Sequence, residues 1–416
     1  MTHAQERELL RTLAGRLREH AELDRMPALR QTWIDHNGLR PTRPMVLAFP
    51  EGAWRELLPA DSLECQDPRR RKWEHDLRRR LYQFERIGDD QPVEPVFRVG
   101  WHLTIGDHGV EVPRTHGENL GSYVWDPPLK NLAEDMSKLQ YRTIEVDRDA
   151  TFAEAEAARE TFGDLLEVEL TGKPWWTVGL TWWAALFIGL EELMIAMYDQ
   201  PDELHALMAW LRDEHLHFID AAESLGILDV QTRDHYVGSG GLAYTDELPQ
   251  PDHQPGAPAR LNDLWGFAES QETVGVSPAM FEEFVLPYQV PVLERFGLNC
   301  YGCCEPVHQR LGSILENVPR LRRVSGSPWV DQAAMKDMIG DRYIFSRKPN
   351  PTLICNMFHE DRIREDLRQT LSIAGDGPLE IIMKDTHTVG GEPWRVGRWV
   401  EIAREEIERH VGAVAA

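Results

Sequence analysis

The chain has 416 residues, of which 42% are hydrophobic, 27% charged and 9% aromatic, the profile of a folded globular protein rather than a disordered or fibrous one. Its 45 Lys+Arg against 69 Asp+Glu repel a phosphate backbone and an anionic membrane surface, so neither nucleic acid nor lipid is an expected partner. Five cysteines, an odd number with three between 300 and 304, do not make a secreted disulfide framework; a reducing, cytoplasmic setting is expected.

In chain order, the charged segment Ala4 to Glu22 reads as a helix with no apolar secretory core, and residues 1–40 as an N-terminal helical extension. "PMVLAF" (Pro44 to Phe49) reads as a strand, and Arg69 to Glu85 as a helix whose arginines alternate with acids on a solvated face. A long loop rich in Gly, Pro, Asp and His spans 104–131, and a helix spans Thr151 to Leu165. The apolar run Trp175 to Leu190 is broken by polar residues and falls short of the roughly 18 to 20 residues that cross a bilayer.

Helices at Gly189 to Met197 and Asp202 to Leu225 precede a strand-like run, Leu228 to Tyr236, and a second long loop at 238–263. Helices then alternate with short β-rich runs. The helices are Pro278 to Phe296, His308 to Asn317, Gln332 to Ile339, Asp361 to Ala374 and Pro393 to Val411; the strands are Leu298 to Cys304, Arg322 to Ser327, Arg342 to Pro349 and Leu379 to His387. Spacings of about 25 to 45 residues fit βαβ units on a parallel sheet, and a closed (β/α)8 TIM barrel spanning 41–416 is the expected architecture. Several strand-like runs begin apolar and end polar, as "IIM" runs into Lys384, Asp385 and His387, so their polar ends are expected to meet in one pocket.

"SPAMFEEFVLPYQVPVLERFGLNCYGCCEP" followed by "LRRVSGSPWVDQAAMKDMIGDRYIF" resembles the uroporphyrinogen decarboxylase superfamily, as does the upstream passage from Leu186 to Val230. The resemblance covers roughly residues 128–411 and implies a (β/α)8 barrel. It implies one of two chemistries, cofactor-free decarboxylation of a porphyrinogen or methyl transfer by zinc enzymes that work with corrinoid proteins or thiols. "PALRQTWIDHNGLRPTRPMV" lacks the arginine-bearing signature of the porphyrinogen branch, so the methyltransferase branch is the closer one. By position, Tyr301 stands where that branch has a histidine and Cys303 where it has a cysteine.

From strand alternation, Tyr301, Cys303 and Glu305 point one way and Cys300, Gly302 and Cys304 the other. Cys303, His387 and Glu269 are the expected zinc ligands, with Cys304 and Cys355 as alternatives. Glu269 and Asp385 are the expected proton carriers, and His235, Tyr236, Trp265 and Tyr301 are expected to line the substrate pocket. Trp175, Trp176, Trp182 and Trp183 form an aromatic set suited to lining a cavity, or to plain core packing. "GSGG" after Tyr236 matches no phosphate-binding loop.

The expected function is therefore zinc-dependent methyl transfer from a small O-, N- or S-methylated substrate to a thiol or to a corrinoid carried by a partner protein. Two alternatives stand beside it: a metal-free decarboxylase or lyase of a small carboxylated substrate, and a barrel that binds without turnover.

Overall fold

The computed structural model describes residues 1–116 and 123–414; residues 117–122 of the expected 104–131 loop lie outside it. Eight parallel-paired strands organise the chain: β1 (Met45–Ala48), β2 (Val96–Gly100), β3 (Glu167–Thr171), β4 (Trp265–Ala268), β5 (Leu298–Tyr301), β6 (Leu321–Gly326), β7 (Ile344–Arg347) and β8 (Leu379–Met383). Six form one sheet in the order β1-β8-β7-β6-β5-β4, and β2 pairs with β3 alone. The arrangement is a mixed α/β fold compatible with a TIM-like barrel, but the barrel is not closed.

The expected closure fails on both sides of the β2–β3 pair. On one side, a single backbone bond from the Asp90 N–H to the Val46 carbonyl is joined by side chains, as Asp90 and Asp89 accept from the Val46 and Ala48 N–H groups of β1. On the other, the Val178 N–H and the Thr177 hydroxyl both bond to β4 at the Phe267 carbonyl in place of a ladder. The run Leu228 to Tyr236, expected as a strand, is irregular up to a two-residue strand, Tyr236–Val237, because Asp229 turns its carboxylate onto the Gly172 N–H and the Thr171 hydroxyl. β2 and β3 themselves were not legible: their charged residues interrupt the apolar pattern.

Local sequence explains most of the helices. Thr2 and Gln5 form a capping box at the start of His3–Ala21, Asp67 caps Pro68–Tyr82, and Asp331 caps Gln332–Ile339. The expected helix Pro278 to Phe296 is two, Pro278–Phe284 and Leu286–Leu293, broken at Val285 just before Pro287, which has no N–H to continue the ladder. Every residue of β8 is buried, as in a parallel strand covered on both faces.

Those two faces are packed differently. Val46, Ala48, Tyr301, Val324, Phe345, Ile381 and Met383 join the large core shared with the helices. Met45, Leu47 and Ile382 pack instead against Leu242 and Tyr244. Leu298 and Cys300 pack against Val237 and Ala243. The hairpin Tyr236–Val237/Gly241–Leu242 thus lies against the sheet face opposite the helices. A second core joins β2 to the helices His3–Ala21, Pro68–Tyr82 and Arg148–Phe162. No helix among the described residues is long and apolar enough to cross a membrane.

Candidate active site

The C-terminal ends of the parallel strands bring together Glu51 after β1, Glu269 after β4, Cys303 to Glu305 after β5, Lys348 after β7, and Lys384 to His387 after β8. This is the face where barrel enzymes build their sites.

β5 ends at Tyr301 because Gly302 adopts φ +95°, a conformation open to glycine. That kink overturns the expected alternation. Tyr301 faces the helix side, fully buried, with its hydroxyl donating to Gln289 Oε1 at 2.6 Å. Cys303 instead shares a cluster with Cys300. The expectation that Tyr301 touches substrate thus meets a residue committed to the core. Trp265 is likewise buried, with Nε1 donating to the Ala243 carbonyl, and His235 lies 3.4 Å from Asp229. Tyr236 remains at the site, its hydroxyl accepting from Lys384 Nζ at 2.9 Å, and it borders a cavity of about 350 Å³ that also touches Phe49 and Trp54.

Cys303 is buried and Cys304 exposed, with their sulfurs 3.7 Å apart, and Ser239 Oγ lies 3.4 Å from Cys303 Sγ. The shared S–H contact and burial push the Cys303 thiol far up, while the same contact lowers Cys304. Cys304 is therefore the more acidic thiol of the pair. Glu305 turns inward to accept from the Cys303 and Ser270 N–H groups, and burial raises its pKa. Lys384 stays charged: burial is outweighed by Tyr236, Glu51 and Cys303.

The expected zinc set does not assemble. Among the described residues, the one group of three His, Cys, Asp or Glu side chains with converging ligand atoms is Glu51, Asp385 and His387, mutually within 4.8 Å. Asp385 and His387 do come together, but their third partner is Glu51 rather than Cys303 or Glu269. Gly52 permits this, since a Cβ there would lie 2.8 Å from His387 Nδ1. Lys384 Nζ, 3.3 Å from Glu51, already balances part of the charge. Cys355 ends a short helix, Thr352–Cys355, whose neighbouring carbonyls at 354 and 356 are held by Arg395.

Glu269 faces a different space. It is fully buried and lines a cavity of about 420 Å³ walled by Trp175, Trp176, Trp182 and Trp183. Its Oε2 accepts from the Gln271 N–H, while Oε1 is buried without a partner. Burial, then the charges of Glu272 and Glu305, push its pKa well above the usual carboxylate value, favouring the protonated form. Gly179 makes room for it, because a Cβ there would stand 2.3 Å from Oε1. The cavity wall is linked to the cysteine pair through Phe267, whose ring lies 5.2 Å from that of Trp176 and which shares a cluster with Cys303, and Lys384 Nζ lies 5.9 Å from the Trp176 ring.

Comparison with known proteins gives a fold and no family. No family model matches the chain, and no curated protein matches it. Among solved structures it is similar to a methyltransferase from Methanosarcina mazei, with a TM-score of 0.51 at 13% identity, over 91% of this chain and 99% of that one. At that identity the likeness is one of fold.

Proposed function

We propose that the chain is a methyltransferase that takes a methyl group from a small heteroatom-methylated substrate held in the tryptophan cavity. It passes the methyl to a thiol, or to a corrinoid brought by a partner protein, at the adjoining strand ends. The observation that carries this reading is an aromatic cavity with one unpartnered buried carboxyl in its wall, linked through Trp176 and Phe267 to the cluster that holds Cys303. The likeness in fold to a methyltransferase agrees with it.

In the transfer, the bond from the methyl carbon to the heteroatom breaks with its electron pair left on the heteroatom, and a lone pair of the acceptor forms the new bond to carbon. The tryptophans hold and desolvate the donor, and Glu269 faces its heteroatom. From an O- or S-methyl donor the leaving atom takes up the proton Glu269 carries; an N-methyl cation displaces that proton on binding. Lys384, held by the Tyr236 hydroxyl, stands 5.9 Å from the Trp176 ring of the cavity wall. A zinc ion in this reading would be held by Glu51, Asp385 and His387, a nitrogen and two oxygen donors that suit a divalent cation, and would supply Lewis-acid pull.

The test is to offer deuteriomethyl-labelled amines, ethers and thioethers with a free thiol or reduced cobalamin as acceptor. Label in the acceptor is the expected product. Release of CO2 from carboxylated analogues without any methyl transfer would favour a decarboxylase instead.

A further inference from the structure

The tryptophan cavity also says what kind of methyl donor it takes. We infer that it is a binding site for an N-methylated cation, with the faces of the tryptophans as the cage and Glu269 as the counter-ion; this rests on reading the cavity as the donor site.

Four tryptophans share one cavity wall, and two of them are substantially exposed, Trp176 at 44% and Trp182 at 37%. Trp175 and Trp183 pack against the main core, with the Arg142 guanidinium 5.1 Å from the Trp183 ring, while the more open indoles of Trp176 and Trp182 present negative faces that attract a diffuse cation. A methylated ammonium is strongly attracted because its charge is spread over methyl groups that make van der Waals contact and need no hydrogen bonds. The volume of about 420 Å³ is within the range of small-ligand sites.

The charged groups of the wall discriminate further. Arg142 lines the cavity but is neutralised: Nε and Nη2 donate to the two oxygens of Glu214 at 2.7 and 2.8 Å, and its guanidinium lies 4.0 Å from the Phe218 ring centre. His215, also in the wall, has Nδ1 3.0 Å from Glu214. An anionic ligand would find no free cation among these groups. The remaining unsatisfied polar atom is Glu269 Oε1, which no side chain or backbone group meets. In the empty site burial, Glu272, Glu305 and Cys303 all favour the protonated form of Glu269 over the carboxylate. A bound cation reverses that balance, so binding releases a proton and strengthens as pH rises. Lys384, beside Trp176, opposes a second positive charge there and sets the side on which the cation cannot sit.

Choline and its neutral isostere 3,3-dimethylbutan-1-ol are the probes, titrated calorimetrically into the full chain in two buffers of different ionisation enthalpy. The expected result is saturable choline binding at least tenfold tighter than the alcohol, with buffer-dependent heat from the released proton. Glu269→Gln should remove that tenfold preference and the proton release, leaving the alcohol unchanged. Trp182→Ala, at a partly exposed position where folding is not at stake, should weaken choline by a similar factor. Equal affinity for choline and the alcohol, or a preference that survives Glu269→Gln, overturns the inference. If choline binds selectively yet no donor yields methyl, the cation site stands and the methyltransferase reading fails. If methyl leaves only neutral ethers or thioethers and choline does not bind, the reverse holds.

Discussion

Tyr301 is the residue at which sequence and structure part most clearly. Alternation in "NCYGCC" would turn it to the same side as Cys303; one glycine with positive φ breaks the alternation. Nothing in the letters marks that glycine as a kink rather than a strand position. Tyr301→Phe should leave chemistry intact and cost about 1–3 kcal/mol, because Gln289 Oε1 loses its buried donor. Urea denaturation of the variant beside an activity assay checks this, and lost activity at unchanged stability would put Tyr301 back at the substrate. The second residue-scale expectation concerns metal. Zinc bound after loading and gel filtration should fall to background in His387→Ala and persist in Cys303→Ala; the opposite pattern would restore the cysteine as a ligand. Asp385 and His387 were readable from their place after the last strand. Glu51 was not, since it meets them from a distant loop and forms no spaced motif with them.

At the scale of elements, the helices and the later strands were legible because period and caps agree. Gln332–Ile339 has the expected bounds, and Leu379–Met383 and Ile344–Arg347 lie inside theirs. The hairpin at 236–242 straddles the end of the expected strand Leu228 to Tyr236 and the start of the expected loop 238–263, and the pattern does not show it because its glycines answer tertiary crowding. A Cβ on Gly241 would stand 2.3 Å from Arg323 Cζ, and one on Gly238 would stand 2.9 Å from Cys300 Cβ. Gly241→Ala should therefore destabilise the fold by about 1–3 kcal/mol through overpacking, measurable as a shift in urea midpoint. An unshifted midpoint would mean that the hairpin does not press on the sheet.

The C-terminal helix, Trp394–Val414, is tied to Glu360–Ala374 through buried Glu406, which takes Arg364 at 2.9 Å and Arg368 at 2.8 Å. Burial raises its pKa, but the arginines outweigh that and hold it down to about 2. A carboxyl lowered on folding stabilises above its unfolded pKa, about 4.3, and loses that contribution as pH falls toward its folded value. Melting temperatures of the parent and Glu406→Gln should differ at pH 7 and converge near pH 2; a gap that stays constant would contradict the assignment.

Across the whole molecule, the βα alternation from residue 260 onward and the polar strand ends carried the architecture, while closure of the barrel did not follow from them. Closure depends on β2 and β3, two short strands with charged faces, and on segments that replace ladder bonds with Asp89, Asp90 and Asp229. The tryptophan cavity lies in the same stretch, and sequence could name its tryptophans without showing that they line a hollow. With a net charge of −24, the molecule favours neutral or cationic ligands over anions, in line with a cationic methyl donor.

The most direct measurement of the central claim is a single-turnover mass balance with a deuteriomethyl donor, enzyme in excess, read by mass spectrometry of donor, acceptor and protein. The account predicts one demethylated donor for each labelled acceptor, with the rate lowered at least tenfold in Trp182→Ala. Intact donor with every amine, ether and thioether, under conditions where the protein is folded and metal-loaded, would contradict it.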